Sequence, residues 1–150
     1  MIKNKEFYLT TAISYINGAP HLGHAYEAIA ADTLARFKRL DGFDTHFLTG
    51  TDEHGEKNAR SAAKAGLEPQ DFADRNSKLF MQMSQLLNIS CSDFIRTSEE
   101  RHHVASKAIW STLAEAGEIY LGTYGGWYSV LDEAFIGEDE LTQGPGNRKF

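Results

Sequence analysis

The order of apolar and polar positions predicts alternating strands and helices through most of the chain. Residues 7–13 form an apolar run with threonines and no clean alternation, which is typical of a strand buried on both faces. Asn17, Gly18 and Pro20 then break the run. Residues 45–51 repeat the pattern and end in polar residues and glycine, so they are predicted to form a second strand.

A long amphipathic helix is predicted between these two strands. Its apolar or small positions recur at spacings of three and four, and Gly42 follows as a stop signal. The predicted core face is Leu22, Tyr26, Ile29, Thr33, Phe37 and Leu40. Strand, helix and strand together predict a right-handed βαβ unit with parallel strands.

Three more helices and a short strand are predicted up to residue 117. Residues 56–65 form a charged helix closed by Gly66, and Pro69 opens another. The predicted core stripe of that helix is Phe72, Leu79, Phe80, Met83, Leu86 and Leu87. Residues 93–96 read as a strand, and a capping box at 97–100 begins a helix that ends at Gly117. From residue 118 onward aromatic residues lie among glycines, which predicts a second, β-rich module.

Composition narrows the class of protein. A hydrophobic fraction of 41% is ordinary for a globular domain, and a net charge of −6 argues against a nucleic-acid binder with a broad basic face. No apolar run approaches the roughly 18 residues of a membrane span, and the N-terminus has no signal-peptide core, so we expect a cytoplasmic protein without membrane contact. Cys91, the single cysteine, is expected to be a buried small side chain.

The most informative stretch is residues 15–24, which leads from the first strand into the long helix. A helix start offers unpaired N–H groups and a partial positive charge, which together favour an anion. His21 and His24 lie three residues apart on one face of the first turn, and Gly23 leaves room for a flat group. Phosphate binding is favoured; a metal site, which needs further ligands, and a structural role are the alternatives.

A second group of polar residues, 50–55, follows the second strand. Ligands collect at the carboxyl ends of parallel strands, so Asp52, Glu53 and His54 are expected to share a crevice with residues 15–24. The Asp52 carboxylate could bind an ammonium group or magnesium, act as a base, or cap the next helix. The sequence contains neither a P-loop nor a GxGxxG motif, so those two solutions to nucleotide binding are unsupported.

Three blocks of sequence resemble the start of the catalytic domain of the methionyl-tRNA synthetases, which are class I aminoacyl-tRNA synthetases. They are the stretch at 15–24 with its His-Leu-Gly-His signature, the Leu-Thr-Gly-Thr-Asp-Glu-His-Gly block at 48–55, and the block at 94–102. The resemblance implies an α/β fold, a Rossmann-like parallel sheet with flanking helices. Residues 1–117 are then the first half of the nucleotide-binding domain, and 118–150 begin an incomplete β-rich connective insertion.

The resemblance also implies a function: ligation of methionine to tRNA through methionyl-adenylate, with ATP and magnesium as the substrate complex. His21 and His24 are the implied catalytic residues, on the ATP phosphates. The ATP site adds Gly23, which admits adenine, with Asn17 and Glu27 nearby. The methionine site consists of Ile13 and Tyr15 around the side chain, Asp52 on the α-ammonium group, and His54 in support.

Two departures from the family pattern qualify this expectation. The 150 residues contain neither the lysine-rich Lys-Met-Ser-Lys-Ser loop nor a helical anticodon-binding region. We therefore expect an N-terminal fragment that is inactive by itself. Most tRNA contacts are expected to lie outside it. Residues 129–132 replace the Cys-x-x-Cys zinc knuckle of many relatives, so no zinc is expected. The alternatives are a small nucleotidyltransferase with the same histidine signature, and a noncatalytic fragment that binds a partner through residues 124–140.

Overall fold

The computed structural model describes residues 5–129 and 132–141, and the chain divides into two compact units, Met1–Ile109 and Trp110–Phe150. The first unit is an α/β structure in which strands and helices alternate. This confirms the predicted fold class, a Rossmann-like parallel sheet with flanking helices. The predicted domain boundary at 117/118 remains a prediction.

A four-stranded parallel sheet forms the centre of the first unit. Its strands are β1 (Lys5–Thr10), β2 (Ser14–Tyr15), β3 (Phe43–Asp52) and β4 (Asp93–Arg96). The central strand β3 pairs with β1 and β2 on one side and with β4 on the other. The predicted strand at 7–13 is therefore too long, since the chain leaves the sheet after Thr10 and rejoins it only at Ser14, beyond the predicted range.

The long helix α1 (Leu22–Leu40) has the predicted length, but the face that it buries is not the predicted one. Its buried residues are Ala28, Asp32 and Ala35, whereas Leu22, Tyr26 and Leu40 are 84%, 75% and 89% exposed. The predicted core face of α1 was wrong, because small side chains let the helix lie close to the sheet. Hydrogen bonds from Arg36 and from the backbone and hydroxyl of Ser90 make burial of the Asp32 carboxylate acceptable.

The helices α2 (Glu56–Lys64) and α3 (Pro69–Leu86) supply most of the hydrophobic core. The core is a cluster of Ile16, Ala62, Phe72, Ala73 and Phe80. Only part of the predicted α3 stripe is buried, and the predicted burial of Leu79, Leu86 and Leu87 was wrong. With Met83 these residues line an open apolar cleft of about 560 Å³ that also includes Pro20, His21 and Leu22 at the start of α1.

Strand β4 has the predicted bounds and is followed by helix α4 (Glu100–Glu115). Cys91, just before β4, is half-buried rather than fully buried, and burial raises the pKa of its thiol. No helix in the part of the chain that the structure describes is long and apolar enough to cross a membrane.

The second unit contains an antiparallel hairpin, within the segment for which a β-rich module was predicted. Strands β5 (Trp127–Ser129) and β6 (Ala134–Ile136) pair, and a 3₁₀ turn follows at Glu138–Glu140. The ring of Phe135 packs edge-on against Tyr124 and Tyr128. Residues 130, 131 and 142–150 of the predicted insertion lie outside the described residues.

Candidate functional site

The carboxyl ends of β2 and β3 bring two candidate residues side by side. Tyr15, the last residue of β2, pairs in register with Asp52, the last residue of β3. Parallel strands that end together leave a crevice beyond their carboxyl ends. Ile13 and Tyr15 are 41% and 45% exposed there, and Asn17 is exposed in the loop that follows, so these three side chains are accessible.

The start of α1 is capped by the histidine pair. His21 is the N-cap residue, and its Nδ1 accepts a hydrogen bond from the backbone N–H of Gly23 at 3.1 Å. In return, Nδ1 of His24 accepts the backbone N–H of His21 at 3.1 Å. The two rings stack with centroids 3.9 Å apart. The arrangement is a capping box built from two imidazoles in place of the usual hydroxyl and carboxylate.

This cap fixes the tautomer of both rings. A backbone N–H can only donate, so the Nδ1 atoms of His21 and His24 must be unprotonated acceptors. In each neutral ring the proton then lies on Nε2. The pair therefore offers two Nε2–H donors beside a helix N-terminus, which suits a bound anion.

The surroundings of His24 favour its neutral form. Burial lowers the pKa of His24, the neighbouring His21 lowers it further, and Glu27 partly opposes both. The rings of His24 and Phe80 also pack edge to face, with their centroids 5.0 Å apart. Oε1 of Glu27 accepts the backbone N–H of Ala12 at 2.9 Å, so it links α1 to the loop between β1 and β2.

Gly23 has no room for a side chain in this conformation. A Cβ atom there would lie 2.9 Å from Cε1 and 3.1 Å from Nδ1 of His21. The His21 ring therefore lies on the side of Gly23 where a Cβ atom would be.

The Asp52 carboxylate is half-buried, and no ion pair to it is present in residues 5–129 and 132–141. Its backbone is firmly held. The buried amide of Asn58 donates to the carbonyl oxygens of Asp52 and His54, at 3.1 and 2.8 Å. The His54 ring is exposed, and its Nε2 donates to the carbonyl of Thr97 at 3.2 Å. A free carboxylate on a fixed turn is suited to binding a cation.

Behind Asp52 lies a buried ion pair that the sequence analysis missed. The side chain of Glu53 is fully buried and binds Arg96 through both oxygens, at 2.7 and 3.0 Å. It also accepts hydrogen bonds from Thr51 and Ser98. Burial alone would raise the pKa of Glu53, but these donors bring it below its usual value. The signal available in the sequence was a glutamate and an arginine at the ends of two predicted neighbouring strands.

Two close contacts hold the strand ends in place. A Cβ atom on Gly50 would lie 2.0 Å from the carbonyl oxygen of Ile95, so only glycine fits where β3 meets β4. On the other side, the buried amide of Asn76 donates to the carbonyl of Ile16 at 2.6 Å and fixes the chain directly after Tyr15.

The structure thus assembles two groups at one edge of the sheet. His21, Gly23, His24 and Glu27 surround the start of α1, and Tyr15, Asp52 and His54 lie at the ends of β2 and β3. No hydrogen bond or ring contact joins the two groups directly within the described ranges. One group is suited to an anion and the other to a cation, so together they favour a ligand that carries both charges.

Comparisons with known proteins identify the family to which the chain is similar. The family model for class I tRNA synthetases (M) matches residues 7–146. A methionine–tRNA ligase from Rhizobium meliloti is 60% identical over 140 residues, which are 93% of this chain and 27% of the relative. One from Brucella suis is 57% identical over 139 residues, again 93% of this chain and 27% of the relative. The chain therefore spans about a quarter of the length of these relatives.

A solved structure provides the corresponding comparison of folds. Mycobacterium tuberculosis methionyl-tRNA synthetase in complex with methionyl-adenylate superposes with a TM-score of 0.89 and 56% sequence identity. The match covers 95% of this chain and 28% of the other. At this identity and coverage, the likeness extends to sequence as well as to the path of the backbone.

Proposed function

The chain belongs to the class I tRNA synthetases (M), and from this membership we propose that the protein containing it is a methionine–tRNA ligase. It would activate methionine with ATP to methionyl-adenylate and transfer the methionyl group to tRNA. The observation that carries the proposal is the 0.89 TM-score, at 56% identity, to a synthetase solved with methionyl-adenylate. Methionine, ATP and tRNA are the partners it implies, and the cytoplasm is the expected compartment.

In the proposed first step, an oxygen of the methionine carboxylate attacks the α-phosphorus of ATP. A new bond joins that oxygen to phosphorus, the bond to the bridging oxygen breaks, and pyrophosphate leaves with its electron pair. Negative charge increases on the phosphates during this step. The Nε2–H donors of His21 and His24, with the start of α1, would stabilise that charge without accepting a proton.

The remaining candidate residues would orient the reactants. Asp52 would pair with the α-ammonium group, Tyr15 and Ile13 would enclose the methionine side chain, and His54 would support this wall. Asn17 and Glu27 would lie beside the nucleotide, with adenine near Gly23. Because adenylate formation requires little covalent chemistry from the protein, positioning and charge stabilisation account for the rate.

Metal enters the proposal only with the substrate. ATP would bind as its magnesium complex, and we assign magnesium no ligand in this chain. We also propose that residues 129–132 hold no zinc, because Oγ of Ser129 donates to the Asp132 carboxylate at 2.6 Å and accepts the backbone N–H of Asp132. Stoichiometric zinc bound to this chain in a metal analysis would contradict that proposal.

Methionine-dependent exchange of pyrophosphate into ATP tests the activity. The full-length protein that carries this chain should exchange label only when methionine is present. Exchange that does not require methionine would favour a nucleotidyltransferase with another acceptor, and no exchange at all would favour a noncatalytic binding protein. Residues 1–150 alone should be inactive, because the lysine-rich loop is not among them. Robust exchange by this segment would show that the loop is dispensable.

A further inference from the structure

The buried pair of Glu53 and Arg96 lies directly behind Asp52. Thr51 pairs in register with Arg96 across β3 and β4, and hydrogen bonds connect both residues to the Glu53 carboxylate. Side chains alternate along an extended strand, so Thr51 and Glu53 share one face and Asp52 lies on the other. Arg96 is therefore held on the face opposite Asp52.

Arg96 is held by three hydrogen bonds to two carboxylates. Its guanidinium binds both oxygens of Glu53, and it also binds Oδ1 of Asp74 on α3 at 2.5 Å. These bonds raise the pKa of Arg96 above its usual value and lower that of Asp74. The side chain of Arg96 is 18% exposed, whereas that of Glu53 is fully buried, so the outer part of the pair lies close to solvent.

Arg96 is also the cation at the end of the strand next to Asp52. It is the last residue of β4, and Asp52 is the last residue of β3, one position beyond the partner of Arg96. Backbone pairing of the two strands ends with the bond from the Thr97 N–H to the Thr51 carbonyl, so a released arginine side chain can turn round this end toward Asp52. An arginine on Asp52 would form the charge-assisted pair that a substrate ammonium group needs.

We propose that Glu53 is a positioning residue that holds Arg96 away from Asp52 and so keeps the Asp52 carboxylate free to bind the ammonium group of the amino-acid substrate. This inference rests on the proposed function. Four hydrogen bonds to the backbone support it, because each fixes the turn that separates the two carboxylates. Oγ1 of Thr97 accepts the N–H of Glu53 at 2.8 Å, Asn58 holds the carbonyls on either side, and Thr97 N–H donates to Thr51 at 3.2 Å.

The test compares Glu53→Gln with the double variant Glu53→Gln/Arg96→Gln in the full-length protein. E53Q weakens the hold on Arg96, so the KM for methionine in pyrophosphate exchange should rise about tenfold while the KM for ATP is unchanged. The double variant removes the competing cation and should return the KM for methionine to within about 1.5-fold of the starting protein. Binding of methionine without ATP, measured by calorimetry, should follow the same order.

A purely structural role for the pair predicts a different order. The double variant would then be no better than E53Q, and that result would overturn the proposal, as would an unchanged KM in E53Q. The matched control is Glu56→Gln/Arg60→Gln, an exposed pair on α2 whose atoms lie 2.6 Å apart. It should leave both KM values unchanged. Absence of methionine-dependent exchange in the starting protein would instead reject the proposed function.

A further variant keeps the inference testable if E53Q does not fold. Asp74→Asn loosens only the outer hold on Arg96, and the Asp74 side chain is 54% exposed, so folding should be retained. The KM for methionine should rise about threefold, in keeping with the weak contribution of an exposed ion pair. An unchanged KM in folded D74N would overturn the proposal in that case.

Discussion

Nδ1 of His24 accepts the backbone N–H of His21 at 3.1 Å, and the two imidazole rings stack 3.9 Å apart. One histidine pair thus closes the start of α1 and leaves a donor on the Nε2 atom of each ring. Capping and the proposed phosphate contact use different atoms of the same side chains. The two contributions can therefore be separated by substitution.

His21→Asn should separate the cap from the phosphate contact. An asparagine oxygen can replace Nδ1 as acceptor for the Gly23 N–H, and asparagine is a strong N-cap residue, so stability should be retained. The Nε2–H donor is lost, so kcat for methionine-dependent exchange should fall about 100-fold to 1000-fold. His21→Ala should lose the same activity and about 1 kcal/mol of stability as well. Equal unfolding free energies in the two variants would show that the cap contributes nothing.

The lowered pKa of His24 predicts how stability depends on pH. The unfolded histidine titrates near its ordinary value of 6.5, and the folded one below it, so the unfolded state binds more protons in between. His24 therefore adds stability above pH 6.5 that is lost as the pH falls from 6.5 through the folded pKa. Protonation would also place an N–H on Nδ1 against the donor of His21.

Urea unfolding between pH 5 and 7.5 measures this dependence. His24→Asn is the control, since its amide oxygen can accept the same N–H and does not titrate. Its stability should change less with pH than that of the starting protein, because the contribution of His24 is removed. Identical pH profiles would mean that the His24 environment does not disfavour the charged ring.

Gly50 should be the least replaceable glycine among the described strands. In Gly50→Ala the new methyl group would lie 2.0 Å from the carbonyl oxygen of Ile95, so β3 and β4 must separate. We expect a loss of about 3 kcal/mol in the free energy of unfolding. Gly18→Ala is the matched control, because nothing lies within 4 Å of its Cβ position, and it should change stability by less than about 0.5 kcal/mol. Similar unfolding midpoints for both variants would contradict the close packing of the two strands.

The strand and helix order was predictable because it depends on local signals. Apolar runs, Gly42 and Pro69 each lie next to the boundary they predict, and β4 has the predicted bounds. The predicted capping box differs, because Oγ1 of Thr97 accepts the N–H of Glu53 and α4 begins at Glu100. The face of a helix that packs inward is not a local property. In α1 the larger apolar stripe is exposed, and a narrow stripe that includes the charged Asp32 is buried.

In the candidate site, too, some features could be predicted from the sequence and others depend on the folded structure. The pairing of Tyr15 with Asp52 follows from the βαβ pattern, since parallel strands place their carboxyl ends together. The contacts of Glu53, Arg96, Asn58 and Asn76 depend on side-chain directions after folding. Glu53 in particular was expected to share the crevice with Asp52, but its side chain is buried against Arg96, because alternation along a formed strand turns one carboxylate inward and leaves the other free.

Asp52→Asn tests the amino-acid side of the proposed site. The change removes the charge but keeps the shape, and the Asp52 backbone carbonyl remains bound to Asn58. The carboxylate has no ion pair within the described ranges, so its loss should leave the free energy of unfolding within about 0.5 kcal/mol of the starting value. The KM for methionine should rise at least about tenfold, because a charge-assisted contact to the ammonium group is lost, and the KM for ATP should change little.

Asp44→Asn, exposed on the same strand, is the control and should alter neither constant. A rise in the KM for ATP with an unchanged KM for methionine would instead place Asp52 on the nucleotide side of the crevice.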